Sequence, residues 1–384
     1  TGTYAVTATA GGDITNIGVL TITGAATFKA ASSQSIYLNE SNTFSSTVAF
    51  TTPSGNLANV TVRDTTNFDL VALTLSGDLV VTSTGGSITD DGVLAISGTS
   101  SFTTSANNKF ITLDVTTNAF TRAVTLNTTG SLGHAEIDGG TTQLIIAAST
   151  VGGDLELTSG NATGITDSGT VTVNGNLIVI NDVSNGDINM GSLAVDGTIA
   201  LVTTGSGGDV TVVNDAGLDF VSSSIGGDFT ATATSGNISD SGTLTVTGAT
   251  NIYLGTNPIL SVSGATSATD INGNTITLNI SVFTGGITLH YDNVLPPDNS
   301  DIYLASQVAF AELLFSIDQN ITKIYGSYGE MQDHLLWMYK LFRDSFPMQE
   351  QFLEVDRQPQ PNQVKLRKIK TNTKKNNASE GKRL

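Results

Sequence analysis

The side chains able to do chemistry are few and widely spaced. Asn16, Asp90-Asp91, Asp167 and Asp240 occupy one recurring place in a repeated phrase. Carboxylates gathered on one face beside a basic residue or a bound calcium would support acid–base attack on a polysaccharide. These lie about 75 residues apart, hence several turns of any coiled chain, and would not meet. Each is read instead as an Asx side chain bonding its own backbone at a bend. Arg63 and Arg122 are the only arginines of the body that could serve a carboxylate site. Asp138-Gly139-Gly140 and Gly207-Gly208-Asp209 share part of the calcium-binding nonapeptide, but the full Gly-Gly-x-Gly-x-Asp pattern is not repeated. Structural calcium is the most those two spots allow. His134, His290 and His334 are too scattered for a metal site, which in the case of zinc would want cysteine or a close histidine pair. No nucleophile elbow, phosphate-binding loop or dinucleotide fingerprint occurs in its strand–helix context. Catalytic, cofactor-binding and metal-ligating roles are therefore assigned to no residue, and the reading is of a protein that is not an enzyme.

Composition points the same way. The 384 residues include 41 glycines, 7 prolines and no cysteine, with 13% charged residues and a net charge of −18. So little charge excludes a long coiled coil, and recurring Val, Leu, Ile and Thr exclude a disordered polyelectrolyte. No apolar run is long enough to span a bilayer as a helix. Among residues 1–300 the only basic side chains are Lys29, Arg63, Lys109 and Arg122, against 24 acidic ones. Such a body repels nucleic acid and anionic lipid. From Arg357 onward the balance reverses, with nine basic residues and one acid, Glu380.

An internal repeat dominates the body. Gly-Asp-Ile-Thr-Asn-Ile-Gly-Val-Leu-Thr-Ile-Thr-Gly begins at Gly12 and Gly-Ser-Ile-Thr-Asp-Asp-Gly-Val-Leu-Ala-Ile-Ser-Gly at Gly86. Related phrases begin at Gly164 and Gly236, so that Ile14, Ile88, Ile165 and Ile238 correspond at steps of 74, 77 and 73 residues. Asp78-Leu79, Asp154-Leu155 and Asp228-Phe229 keep the same register. Within each block, short runs such as Ala123-Val124-Thr125-Leu126-Asn127 alternate apolar and polar residues between Gly, Asn, Asp and Ser. A finer spacing of 22 residues separates Val171-Thr172-Val173 from Leu193-Ala194-Val195, and Ile188 from Val210. One turn thus takes roughly 20–25 residues, which suits a coiled sheet.

The expected fold is all-β: a right-handed parallel β-helix over residues 1–295, of ~13 turns and ~60–65 Å. Val, Ile, Leu and Phe should stack inside it, and corner Gly, Asn and Asp should supply positive φ. A row of β-sandwiches is the rival, but the period is short for one and the runs too uniform.

The phrase Gly-x-Ile-Thr-Asp-Ser-Gly-x-Leu-x-Val-x-Gly, with its Gly-Asp-Leu strand starts, resembles the repeat region of filamentous-haemagglutinin-like exoproteins. The resemblance covers about residues 1–290 and lies in periodicity and composition. It implies a secreted or surface-displayed bacterial adhesin shaft, exported by an outer-membrane partner protein (two-partner secretion). Host-cell or matrix glycans or proteins would be its receptors. Neither a signal peptide nor that family's secretion domain is present, and Tyr4–Gly12 reads as the end of a repeat, so a carboxy-terminal fragment of a longer protein is expected. A carbohydrate-active β-helix enzyme and a self-assembling surface-layer or matrix protein are the alternatives.

Past Pro296-Pro297 the pattern becomes helical. Apolar residues of Ile302–Ile317 share one face, and a second helix is expected within 329–346. Residues 301–348 are read as a helical segment capping the open end of the stack, where an unpaired strand would invite aggregation. Residues 349–384 are read as a disordered basic tail.

Overall fold

Alternation dictates the local structure. In Leu155-Glu156-Leu157-Thr158-Ser159, Leu155 and Leu157 are buried while Glu156 and Thr158 are half-exposed, and the segment is a strand. The computed structural model describes residues 3–292 apart from 9, 257 and 259, and across these the same pattern yields short strands joined by tight corners. The expected helical segment 301–348 and tail 349–384, with His334, lie outside the described residues. Among the described residues no helix is long and apolar enough to cross a membrane.

Strands stack in parallel, each on its counterpart one turn later. Tyr4 pairs with Ala26, and Ala26 with Val48. Leu155 pairs with Leu177, and Leu177 with Ile199. The chain is an all-β parallel solenoid of about 11 turns. The 13 expected assumed a uniform turn, whereas the last step runs from Ile238 to Ile276.

Two long sheets form the main walls. Sheet I begins with Tyr4–Ala8 and Ala26–Ala30; sheet II begins with Ile14–Thr15 and Ile36–Phe44. Some sides of a turn are one straight strand, while others are two three-residue strands broken by a corner. The repeated phrase is the broken kind. Ile14 and Ile165 lie in sheet II, whereas Ile88 and Ile238 lie in sheet I. From Ile14 the ladder climbs through Ile36 and Val60 to Leu79, three turns, and the next phrase begins half a turn beyond, at Ile88. The repeat is therefore about three and a half turns long and swaps walls each time. Straight strands accordingly occupy sheet II from Val60–Asp64 to Val124–Asn127, then sheet I from Ala135–Asp138 to Ile199–Thr204.

Inside, one apolar column runs the length of the stack, with Leu79, Phe102, Leu126, Leu157, Val179 and Leu201 fully buried. Aromatic rings lock neighbouring turns: Phe28 lies 6.1 Å from both Phe44 and Phe50, Phe102 lies 6.1 Å from Phe120, and Phe220 lies 5.3 Å from Phe229. Burying each such side chain contributes roughly 1.5–3 kcal/mol.

The corner glycines depart from expectation. Gly205 does adopt positive φ, at 81°, and so does Asn185, at 62°. Glycines ahead of the straight strands are instead selected by close approach. The Gly175 amide donates to the Gly153 carbonyl at 3.1 Å, and a Cβ on Gly175 would meet the Gly153 backbone at 2.7 Å.

At the carboxy-terminal end the long last step holds two edge strands. Leu260–Ser263 runs antiparallel on Ile287–Tyr291, and Ser267–Thr269 antiparallel on Thr275–Thr277. Reversed direction ends parallel stacking at those edges and occupies backbone groups that would otherwise template another strand.

Gly175→Ala should destabilise the protein by about 1–3 kcal/mol, the usual range for overpacking, because backbone and not a flexible side chain must yield. Gly18→Ala, with nothing within 4 Å of the added Cβ, should be close to neutral. Denaturant titration of the two variants checks the contrast, and hydrogen exchange should place the Gly175→Ala loss in turns 135–204.

Candidate functional site

The recurring Asx positions stand at the corner of each broken pair, and their partners are on the following turn. Asp167 accepts from the Gly191 amide at 2.9 Å and the Ser192 amide at 2.6 Å. Asp240 accepts from the amides of Asn279 at 3.0 Å and Ile280 at 2.9 Å, and from the Ser281 hydroxyl. Asp90 accepts from Asn118 Nδ2 at 2.7 Å. Only Asn16 bonds locally, to the Gly18 carbonyl, and it also donates to Asn42 Oδ1 one turn on. The expected bond to an Asx residue's own backbone is thus corrected for the three aspartates. A coil brings residues about 22 positions apart closer than the neighbouring bend, and the next corner's amides face the carboxylate.

A second set of Asx residues forms staircases that sequence reading missed. Asn59 Oδ1 accepts from the Asp78 amide and Asp78 Oδ1 from the Thr99 amide, both at 2.7 Å. Asp187, Asp209 and Asp228 each accept from the corresponding amide of the next turn, ending at Ala249. In a third staircase His134 takes the Asx place. Its Nδ1 accepts from the Asp154 amide at 2.8 Å, Asp154 accepts from Asn176, and Asn176 from Thr198. The Gly-Asp-Leu strand starts carried this signal, since each puts an acceptor just before a strand.

The remaining candidates are also engaged by the fold. Asp138 Oδ1 accepts from the Gly140 amide at 2.7 Å, and Asp209 belongs to a staircase. His290 stacks on Tyr253 with ring centres 4.2 Å apart, and its Nδ1 lies 2.8 Å from the Ser261 hydroxyl on the antiparallel edge strand. Burial pushes the His290 imidazole below its ordinary pKa. Arg63 points outward from Val60–Asp64 and Arg122 sits exposed before Val124–Asn127. Among the described residues no group of three or more His, Asp or Glu side chains is arranged to hold a metal ion. A recess of about 260 Å³ is lined by Asp196, Asp219, Asn237 and Ser239, without a basic side chain. Its Asp219 already accepts from the Ser239 hydroxyl and the Ser241 amide.

Three carboxyl groups sit above their ordinary range. Burial pushes Asp90 up to about 6, with the charge of Asp114 adding to the effect. Glu136 is raised by partial burial and by Glu156, Asp114 and Asp138; Asp138 is raised by partial burial and by Asp182 and Asp114.

Taken together, the stack and its internally bonded corners define a parallel β-helix repeat protein. Residues 1–51, 57–127 and 207–260 match a family described as repeats of unknown function (DUF5649). Comparison with curated proteins and with solved structures found no match.

Asp90 gives a signed pH dependence. Between about pH 4 and 6 the unfolded chain ionises this carboxyl while the native chain keeps it protonated, so stability is lost as pH rises through that window. Asp90→Asn should reduce the fall in melting temperature from pH 4 to 7, leaving the smaller share of Glu136 and Asp138. Asp167→Ala, which strands two corner amides, should cost about 1–3 kcal/mol at neutral pH, read by denaturant titration.

Proposed function

We propose that the chain is a shaft segment of a secreted or surface-displayed bacterial adhesin, mediating attachment by extended, multivalent display. The observation that carries this reading is an uninterrupted stack whose corner carboxylates and carboxamides are consumed in holding one turn to the next. What remains outside is largely Thr, Ser and Asn, such as Thr61, Thr82, Ser101 and Thr103 on sheet II. A surface of this kind binds through many weak polar contacts, and it gains strength by repetition. Host-cell or matrix glycans or proteins are the partners such contacts fit, and an outer-membrane transporter would export the protein. The resemblance to filamentous-haemagglutinin-like repeats supports the same role.

Beads carrying the full chain at graded density should be retained on glycan- or matrix-coated surfaces, with retention rising more steeply than density. Turnover of a polysaccharide without retention would replace this reading with the enzyme. Calcium-triggered growth in light scattering, again without retention, would replace it with a self-assembling layer.

A further inference from the structure

On the outside of sheet I, the straight strands of residues 135–204 break with the polar exterior. In register, one outward row reads Glu136, Glu156, Ile178 and Ala200, and the row beside it reads Asp138, Thr158, Ile180 and Val202. The internal repeat shows what the fold itself requires there. Counted from the matched Leu79, Leu155 and Phe229, Glu136 corresponds to Thr61 and Thr211, and Ile178 to Ser101 and Asn251. Ile180 likewise corresponds to Thr103 and Tyr253, and Val202 to Asn127 and His290. Equivalent strands therefore stack without acid or isoleucine at these places.

The departure is also unfavourable to the isolated chain. Glu136 lies directly across from Glu156, and like charges so placed repel. Among the described residues the one recorded ion pair is His134–Asp154, so no lysine or arginine answers Glu136, Glu156 or Asp138. Partial burial and neighbouring carboxylates raise the pKa of Glu136, as expected of charge lacking a counter-ion. Next to this acidic end lies an aliphatic patch of Ile178, Ile180 and Val202 on the same flat wall.

From this we infer that the outer face of residues 135–204 is a docking surface for a cationic amphipathic segment of a partner protein. Basic side chains would lie over Glu136 and Glu156, and aliphatic ones over Ile178, Ile180 and Val202. Charge complementarity selects this occupant over a glycan, which would meet neither need. Four rungs span ~14 Å, the length of about ten helical residues. The surface does not depend on an adhesive role for the rest of the chain.

The test uses the full-length protein and a short synthetic helix with lysines in its first half and leucines in its second. Its binding is read by calorimetry, and the same helix with glutamates for lysines is the control. Glu136→Thr/Glu156→Thr and Ile178→Ser/Ile180→Thr place side chains already used in equivalent strands, and unchanged melting confirms folding. Each double variant should weaken binding at least tenfold, and added salt should weaken binding to the unaltered protein. Unaltered binding in either double variant would overturn the inference, as would no binding to the unaltered protein or equal binding of the control helix. Where a double variant does not fold, Glu156→Thr or Ile180→Thr alone serves, with the same expected direction.

Discussion

Each turn of this protein is held by the backbone hydrogen bonds it makes with the turn before and the turn after. Strands meet that demand unaided, since a parallel ladder pairs every amide and carbonyl. Corners cannot, because the chain changes direction and its amides lose register. The protein resolves this in two ways. Where backbone can approach backbone it uses glycine, as in the Gly175 to Gly153 bond. Where it cannot, an Asx side chain reaches one turn along, as Asp78 does to Thr99 and Asp167 to Gly191. Nearly all the side chains that looked able to do chemistry are spent in this way.

This constraint accounts for the acidic composition without invoking a ligand. An Asp or Asn acceptor at corner after corner leaves many carboxylates along the body, spaced a turn apart and each bonded to amides. His134 shows that the requirement is for an acceptor at one point in space, not for a carboxylate: its Nδ1 fills the place of an Asx oxygen below Asp154.

Much of the architecture was legible because its determinants are local. Alternation in Ala123–Asn127 and the 22-residue spacing of Ile188 and Val210 gave strand and turn, and both appear in the ladder. What stayed hidden depends on residues about a turn apart. Nothing beside Asp167 in the chain says that its partners are Gly191 and Ser192, so a local bend was the natural reading. The swap of walls between Ile88 and Ile165 was likewise invisible. A repeat of 73–77 residues reads the same whether it holds whole turns or half-turns; only the strand pairing of Leu79 with Val60 and Ser100 fixes the count. The edge strands at 260–269 were missed because their sequence alternates like any other, while their direction is set by what they cover.

The wall swap has a consequence for where any partner could rest. A broken pair places a corner in the middle of a wall and gives it relief, whereas a run of straight strands presents aligned outward rows on an even pleat. Because the phrase changes walls every three and a half turns, even stretches alternate too: sheet II carries one over residues 60–127 and sheet I the next over 135–204. The first is answered by Thr, Ser and Asn, and the second by paired acids followed by isoleucines. Inward residues are held by the shared core and corner residues by the staircases, which leaves the outward rows of the even stretches as positions that can change without cost to the stack. Differences in function between repeats are therefore expected on these rows, and residues 135–204 hold the largest such difference among the described residues.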